Sequence, residues 1–154
     1  MFNIVLVEPE IPPNTGNVGR LCLATNSTLH LVKPLGFSLD DRQLKRVGLD
    51  YWDEVDLQVW DSLEQVRKAN ATARFFLVTT KSKRAYWDVK FEPGDFLVFG
   101  RETKGLPEPV LAANARDCIT IPLAGTRSLN LATAVAIVLF EAVRQQHSGG
   151  DGVE

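Results

Sequence analysis

Three short apolar runs in this chain stop abruptly at small or polar residues. They are Phe75-Phe76-Leu77-Val78-Thr79-Thr80, Phe96-Leu97-Val98-Phe99-Gly100 and Cys118-Ile119-Thr120-Ile121-Pro122. Continuous apolar runs of this length, bounded by turn residues, predict buried strands. Residues 2–7 predict another, followed by the stiff, extended turn Glu8-Pro9-Glu10-Ile11-Pro12-Pro13. Asn14 then reads as the N-cap of a helix to about Asn26, with Val18, Leu21, Cys22 and Thr25 on one face and Arg20 on the opposite one. Thr28 to Lys33 predicts a second strand, ended by Pro34. Asp40 is placed to cap a short helix through Val47, with Gly48 as its stop. Val55 to Trp60 alternates like a strand, and Asp61 or Ser62 starts a helix to about Asn70. Strands over 74–80 and 95–99, a short helix opening at Pro107 and Glu108, a strand over 117–121 and a helix over 129–146 complete the pattern. The tail from 148 to 154 is expected to fray.

Strands alternating with helices predict an α/β fold: a mostly parallel sheet with helices on both faces, as a single domain over 1–147. In such open sheets ligands sit outside the carboxyl ends of the strands. The three abrupt strand ends therefore imply one pocket. The final helix is apolar almost all round, with Leu129, Leu131, Val135, Ile137, Val138, Leu139 and Phe140 spread over every side. Such a helix needs burial on most of its surface, and a homodimer interface is an economical way to supply it.

The chain has 154 residues, 45% hydrophobic and 23% charged, enough for a sizeable core. Its net charge of −2 excludes a generic polyanion binder but not a nucleic-acid partner met by local patches. Arg42, Lys45 and Arg46 form one basic cluster on one side of a helix, and Lys81, Lys83 and Arg84 form another. The cysteines Cys22 and Cys118 lie in apolar strings and read as buried free thiols. His30 and His147 have no neighbours at ligand spacing, so no metal is expected. The longest apolar run, Ala134 to Phe140, is too short to span a bilayer, and no signal peptide is visible. No membrane association and a cytoplasmic location are the expectations.

Three constellations carry candidate chemistry. In Pro12-Pro13-Asn14-Thr15-Gly16-Asn17-Val18-Gly19-Arg20, two glycines within one helical turn cost stability. Either this is a helix start with a solvated arginine, or Gly16 and Gly19 thin the helix so that another chain or a ligand approaches, and Arg20 points into a shared site. Gly100-Arg101-Glu102-Thr103-Lys104-Gly105-Leu106-Pro107 is a glycine-bounded loop that closes tightly, and it matches neither the dinucleotide fingerprint nor a phosphate-binding P-loop. In Ile121-Pro122-Leu123-Ala124-Gly125-Thr126-Arg127-Ser128-Leu129-Asn130, Ser128 reads as the cap of the last helix, a role compatible with ligand contact. Asn130 places an amide in the first turn of an apolar helix, where it needs partners. No G-x-S-x-G element supports a hydrolase.

Together, PPNTGNVGR, FGRETKGLP and IPLAGTRSLNLATA resemble the SPOUT class of RNA methyltransferases. The narrower resemblance is to the small single-domain TrmL/YibK group, the tRNA (cytidine/uridine-34-2′-O)-methyltransferases. The match covers nearly the full chain in order and spacing. It implies a C-terminal trefoil knot, S-adenosyl-L-methionine as methyl donor, a homodimer with each site near the interface, and tRNA, typically leucine isoacceptors, as substrate. Carried over by motif position, Val78, Thr79, Thr80, Gly100, Ile121 and Ser128 surround the donor, with Gly105, Leu106, Leu123 and Asn130 as further contacts. Arg20 takes the catalytic position, and Asn14 and Glu102 organise the site. Arg42, Lys45, Arg46, Lys81 and Arg127 are candidates for RNA contact. One departure is Phe140, a position often held by tyrosine in that group. The competing expectations are a non-catalytic dimer that binds RNA or a nucleotide, and a 2′-O-methyltransferase of another RNA.

Overall fold

The computed structural model describes residues 1–148; the side chains of Lys45, of 47–50 and of 148 lie outside that description. The elements run β1 (Asn3–Val7), α1 (Pro12–Ala24), β2 (Thr28–Val32), α2 (Arg42–Gly48), β3 (Leu57–Trp60), α3 (Leu63–Ala69), β4 (Phe75–Val78), β5 (Phe96–Phe99), α4 (Glu108–Ala113), β6 (Cys118–Ile119) and α5 (Leu131–Ser148). The six strands form one sheet in the order β3-β2-β1-β5-β4-β6. Every strand pairing is parallel.

The period-two alternation of side chains assigns each strand residue to one of two cores. Ile4, Leu6, Leu29, Leu31, Leu97 and Phe99 face a cluster with Val18 and Cys22 of α1, Leu44 of α2, and Val135 and Leu139 of α5. Val5, Val7, Leu77, Phe96 and Val98 face the other way, onto Val66 of α3 and Leu111 of α4. A sheet covered on both faces is why these strands read as continuous apolar runs.

The amino edge of the sheet is closed by a salt bridge. Asp95, 3% exposed, accepts Arg74 Nε at 3.0 Å and Nη2 at 2.7 Å, and the guanidinium lies over the Phe76 ring. At the carboxyl edge, the loops after β4, β5 and β6 build the walls of a site. His30 is buried in β2, where Trp60 Nε1 donates to its Nδ1 at 3.0 Å and its Nε2 meets Asn3 Oδ1 at 2.9 Å. Burial pushes that imidazole down to about 4.

Several local expectations are corrected. Helix α1 begins at Pro12, with Ile11 as a cap that makes no side-chain bond, so Asn14 is inside the first turn and not the N-cap. Prolines at the first helical positions supply the required φ and lose no needed N–H, which makes a polar cap dispensable. Helix α2 starts at Arg42, with the Asp41 carboxylate accepting the Gln43 N–H at 2.7 Å, and Gly48 leads into a 3-10 turn over Leu49–Glu54. Strand β6 has only two ladder residues, and Thr120 prolongs it through a parallel bridge to Ala85. Both cysteines are free and buried, as expected, and burial pushes the Cys22 thiol up to about 12. Ser62 caps α3, accepting the Gln65 N–H at 3.1 Å. Ser148 is the last residue of α5; the rest of the expected tail, 149–154, lies outside the described residues. No described helix is long and apolar enough to cross a membrane. Among the described residues no group of three or more His, Cys, Asp or Glu is placed to hold a metal ion.

Candidate active site

Beyond the carboxyl ends of β4, β5 and β6 lies a cleft of about 580 Å³, within the usual range of small-molecule sites. Three stretches far apart in sequence wall it. Val78, Thr79 and Thr80 leave β4; Gly100, Gly105 and Leu106 bound the loop after β5; Ile121, Leu123, Ser128 and Asn130 lie between β6 and α5. All ten positions singled out for the donor thus line one cavity, and Asn14 and Glu102 line it too.

The loop after β5 is tight because Gly100 has no side chain. A methyl at position 100 would lie 2.1 Å from the Gly105 carbonyl carbon and 2.2 Å from the Leu106 nitrogen. The loop doubles back on itself, with the Gly105 N–H donating to Arg101 O at 2.8 Å, and Gly105 turns the chain at φ +68°. Gly100 therefore serves the loop's own closure while lining the cleft.

A chain of polar contacts fastens this loop to the start of α1 and to α5. The Glu102 carboxylate accepts the backbone N–H groups of Glu10 at 2.8 Å and Ile11 at 3.0 Å, and Asn14 Nδ2 at 3.1 Å. Asn14 Oδ1 in turn accepts Asn130 Nδ2 at 3.0 Å, and Asn130 Oδ1 accepts the Thr133 N–H at 3.2 Å. Asn130 is thus the N-cap of α5, and the expected cap Ser128 lies two residues upstream in the cleft wall. The reason is steric order: α5 begins only where the amide can satisfy the helix start and Asn14 together. Sequence reasoning missed the reciprocal half of this clasp. The Glu10 carboxylate accepts both the N–H and the Oγ1 of Thr103, bonds that hold its pKa below the usual carboxylate value. The available signal was two carboxylates, Glu8 and Glu10, on a rigid proline turn. Glu8 sits at φ +54° and pairs with Arg101 at 3.8 Å.

Arg20 is not brought into the cleft of its own chain. It is exposed, with its guanidinium 4.9 Å from the centre of the Tyr51 ring. Gly19 is approached by its own chain: a methyl there would meet the Trp52 ring at 2.7 Å. That overturns the idea that Gly19 makes room for a ligand or second chain. Of the basic candidates, Arg127 and Lys81 line the cleft, and Lys81 is paired with Glu108. Arg42 and Arg46 are exposed on α2 and do not line it, and the side chain of Lys45 lies outside the described residues.

The chain is 49% identical over 150 residues to the tRNA (cytidine(34)-2′-O)-methyltransferase of Burkholderia pseudomallei (strain 1106a), covering 94% of this chain and 96% of that one. A solved structure that gives insight into the 2-OH methylation of C/U34 on tRNA superposes with a TM-score of 0.92 at 45% identity, covering 97% of this chain and 98% of its own. An AdoMet-bound rRNA methyltransferase from Sinorhizobium meliloti superposes with a TM-score of 0.81 at 26% identity, over 93% of this chain and 56% of that one. The family model described as the SpoU rRNA Methylase family matches residues 1–140. With fold, cleft and sequence in agreement over nearly the whole length, this chain belongs to the SpoU methylase family.

Proposed function

We propose that this protein is an S-adenosyl-L-methionine-dependent tRNA 2′-O-methyltransferase, acting on the ribose of cytidine or uridine 34 in leucine-type isoacceptors. The observation that carries the reading is the convergence of three separated loops, with Asn14 and Glu102, on one cleft. The lining suits the group: apolar side chains of Val78, Phe99, Leu106 and Leu131 for a flat base, and carboxylate, amide and hydroxyl groups among the other lining residues for its polar end. Bound there, the donor supplies a methyl group on a positively charged sulfur that is already a good leaving group.

The chain's task is chiefly alignment, which is worth on the order of 7–11 kcal/mol of barrier. The Glu102–Asn14–Asn130 contacts serve it by fixing the loop after β5 against α1 and α5. The attacking 2′-hydroxyl is a weak nucleophile, and charge grows on its oxygen as the bond forms. Arg20 stays cationic and stabilises that charge, and the proton passes to phosphate or water. Because Arg20 is exposed outside its own cleft, it serves the cleft of a second copy in a homodimer. The exposed Phe140 of α5, which packs on α1, and Ile11 at the cleft rim supply apolar surface for such a contact. One domain over 1–147 carries these functions in the cytoplasm. We read the path from β6, at the sheet edge, back to α5 beside α1 and β5 as the threaded segment of a trefoil knot. Arg127 and Lys81 at the cleft, and Arg42, Lys45 and Arg46 on α2, contact RNA phosphates.

Incubation with labelled donor and total tRNA, followed by nucleoside mass spectrometry, tests the proposal. A 2′-O-methyl group at nucleotide 34 is the expected product. Donor binding without transfer would support the non-catalytic alternative, and label in ribosomal RNA alone would point to another substrate.

A further inference from the structure

The segment after Thr80 supplies a feature that neither the cleft nor the cores use. Trp87 is 56% exposed, the largest exposure among the big apolar side chains of the described residues. The other two tryptophans, Trp52 and Trp60, are buried or half-buried. Trp87 is held in place by Tyr86, whose ring meets it edge-on at 5.3 Å, and Tyr86 itself packs against the core.

Its position relative to the cleft follows from the backbone. Thr120, in the cleft wall, donates its N–H to Arg84 O and accepts the Tyr86 N–H, both at 2.8 Å. The parallel Ala85–Thr120 bridge anchors this segment beside the cleft-wall residue Thr120, and Tyr86–Asp88 then form a 3-10 turn that carries Trp87. Trp87 is two residues beyond Ala85, a reach of at most about 7 Å. The preceding residues are Lys81, Ser82, Lys83 and Arg84. Lys81 is engaged by Glu108, but no ion pair is made by Lys83 or Arg84 among the described residues. Asp88 is the one acidic residue in the stretch from 81 to 88. An exposed, braced indole beside unpaired cations is the combination that binds unpaired nucleotides: the ring stacks on a base and the cations meet phosphates. An apolar protein partner would leave Lys83 and Arg84 without counter-charges.

We propose that Trp87 is a stacking platform for an unpaired base of the RNA substrate, with Lys83 and Arg84 holding the adjoining phosphates, so that the target nucleotide is presented to the cleft. The inference rests on the tRNA methyltransferase reading and adds a positioning residue to it.

The test compares Trp87→Ala and Trp87→Phe with the wild type in steady-state methylation of tRNA, with donor calorimetry and sedimentation equilibrium alongside. Trp87→Ala is expected to raise KM for tRNA on the order of 5- to 100-fold, with kcat, donor affinity and oligomeric state kept. Trp87→Phe, which retains a π face, stays within a few-fold of wild type. Lys83→Ala with Arg84→Ala lowers the salt slope of tRNA binding by roughly 0.7 per charge. An unchanged KM in Trp87→Ala, or a loss of oligomer in that variant, overturns the platform, the latter by assigning Trp87 to a protein contact. A readout independent of turnover is the tryptophan emission. Wild type quenched by tRNA and Trp87→Phe unquenched supports the platform even if no methyl is transferred, which would overturn only the methyltransferase reading. Binding of tRNA with no such quench overturns the platform itself.

Discussion

Replacing Gly100 by alanine tests the architecture of the cleft through a single methyl group. That methyl would lie 2.1, 2.2 and 2.6 Å from three backbone atoms of Gly105 and Leu106, where carbon contacts settle at about 3.5–4.0 Å. Backbone cannot yield as a flexible side chain can, so the loop must swing out by more than about 1 Å. Held in place, it suffers overpacking of about 1–3 kcal/mol or more. Released, it gives up bonds to the Glu102 carboxylate and from Thr103 to Glu10. Loss of the two bonds that Glu102 accepts from the Glu10 and Ile11 N–H groups costs about 3 kcal/mol net of exchange with water. Either route predicts donor affinity weakened on the order of 100-fold, since about 1.4 kcal/mol is tenfold. Gly125→Ala is the matched control, because nothing lies within 4 Å of the added methyl. Titration calorimetry with the donor reads the effect, and thermal melting shows whether the loss is confined to the loop. Wild-type donor affinity in Gly100→Ala, or an equal loss in Gly125→Ala, would refute this account of the loop.

Other expectations follow from the same contacts. Arg20→Lys should lower kcat by about 100-fold or more, with donor affinity and oligomeric state unchanged; full activity with an unaltered pH profile would exclude a dedicated guanidinium role. Asn130→Asp keeps an oxygen to cap α5 but removes the donor to Asn14, so melting should hold while donor binding falls by about tenfold. Equal losses in Asn130→Asp and Asn130→Ala would assign the residue to capping alone. For His30, with a folded-state pKa of about 4 against an ordinary value of 6.5, the unfolded chain takes up a proton first as the pH falls. Stability should therefore drop between pH 6.5 and 4, by on the order of 3 kcal/mol, and level off below. Denaturant midpoints should flatten across that window in His30→Gln, and a slope unchanged by the substitution would place the titration elsewhere.

The fold was legible where burial is symmetric. Strands β1, β4 and β5 lie inside a doubly covered sheet, so their apolar runs carry the signal without ambiguity. Edge position blurred the ends of the two outer strands: β3 is half exposed, and β6 keeps two ladder residues because its continuation pairs with Ala85. Caps were less legible than elements. Asn14 and Ser128 have the chemistry of helix caps, but prolines already preset α1, and Asn130 satisfies α5 from a position that also reaches Asn14. One-dimensional capping rules weigh only local N–H groups; a partner 116 residues away is invisible to them.

The same long-range contact explains why the site residues lie in three separate motifs. Glu102, Asn14 and Asn130 come from the loop after β5, the start of α1 and the start of α5, and the central amide of Asn14 is satisfied on both its atoms only when the other two segments are in place. A buried or half-buried polar group left unpaired costs on the order of 1–3 kcal/mol. The three segments are thereby coupled: displacement of one unsatisfies the others, and the cleft is lost with them. Rigid alignment of a donor methyl against a sugar oxygen requires walls that do not move independently. This polar chain supplies that rigidity at the carboxyl edge, whereas at the amino edge the Arg74–Asp95 pair bonds within the sheet's own entry segments.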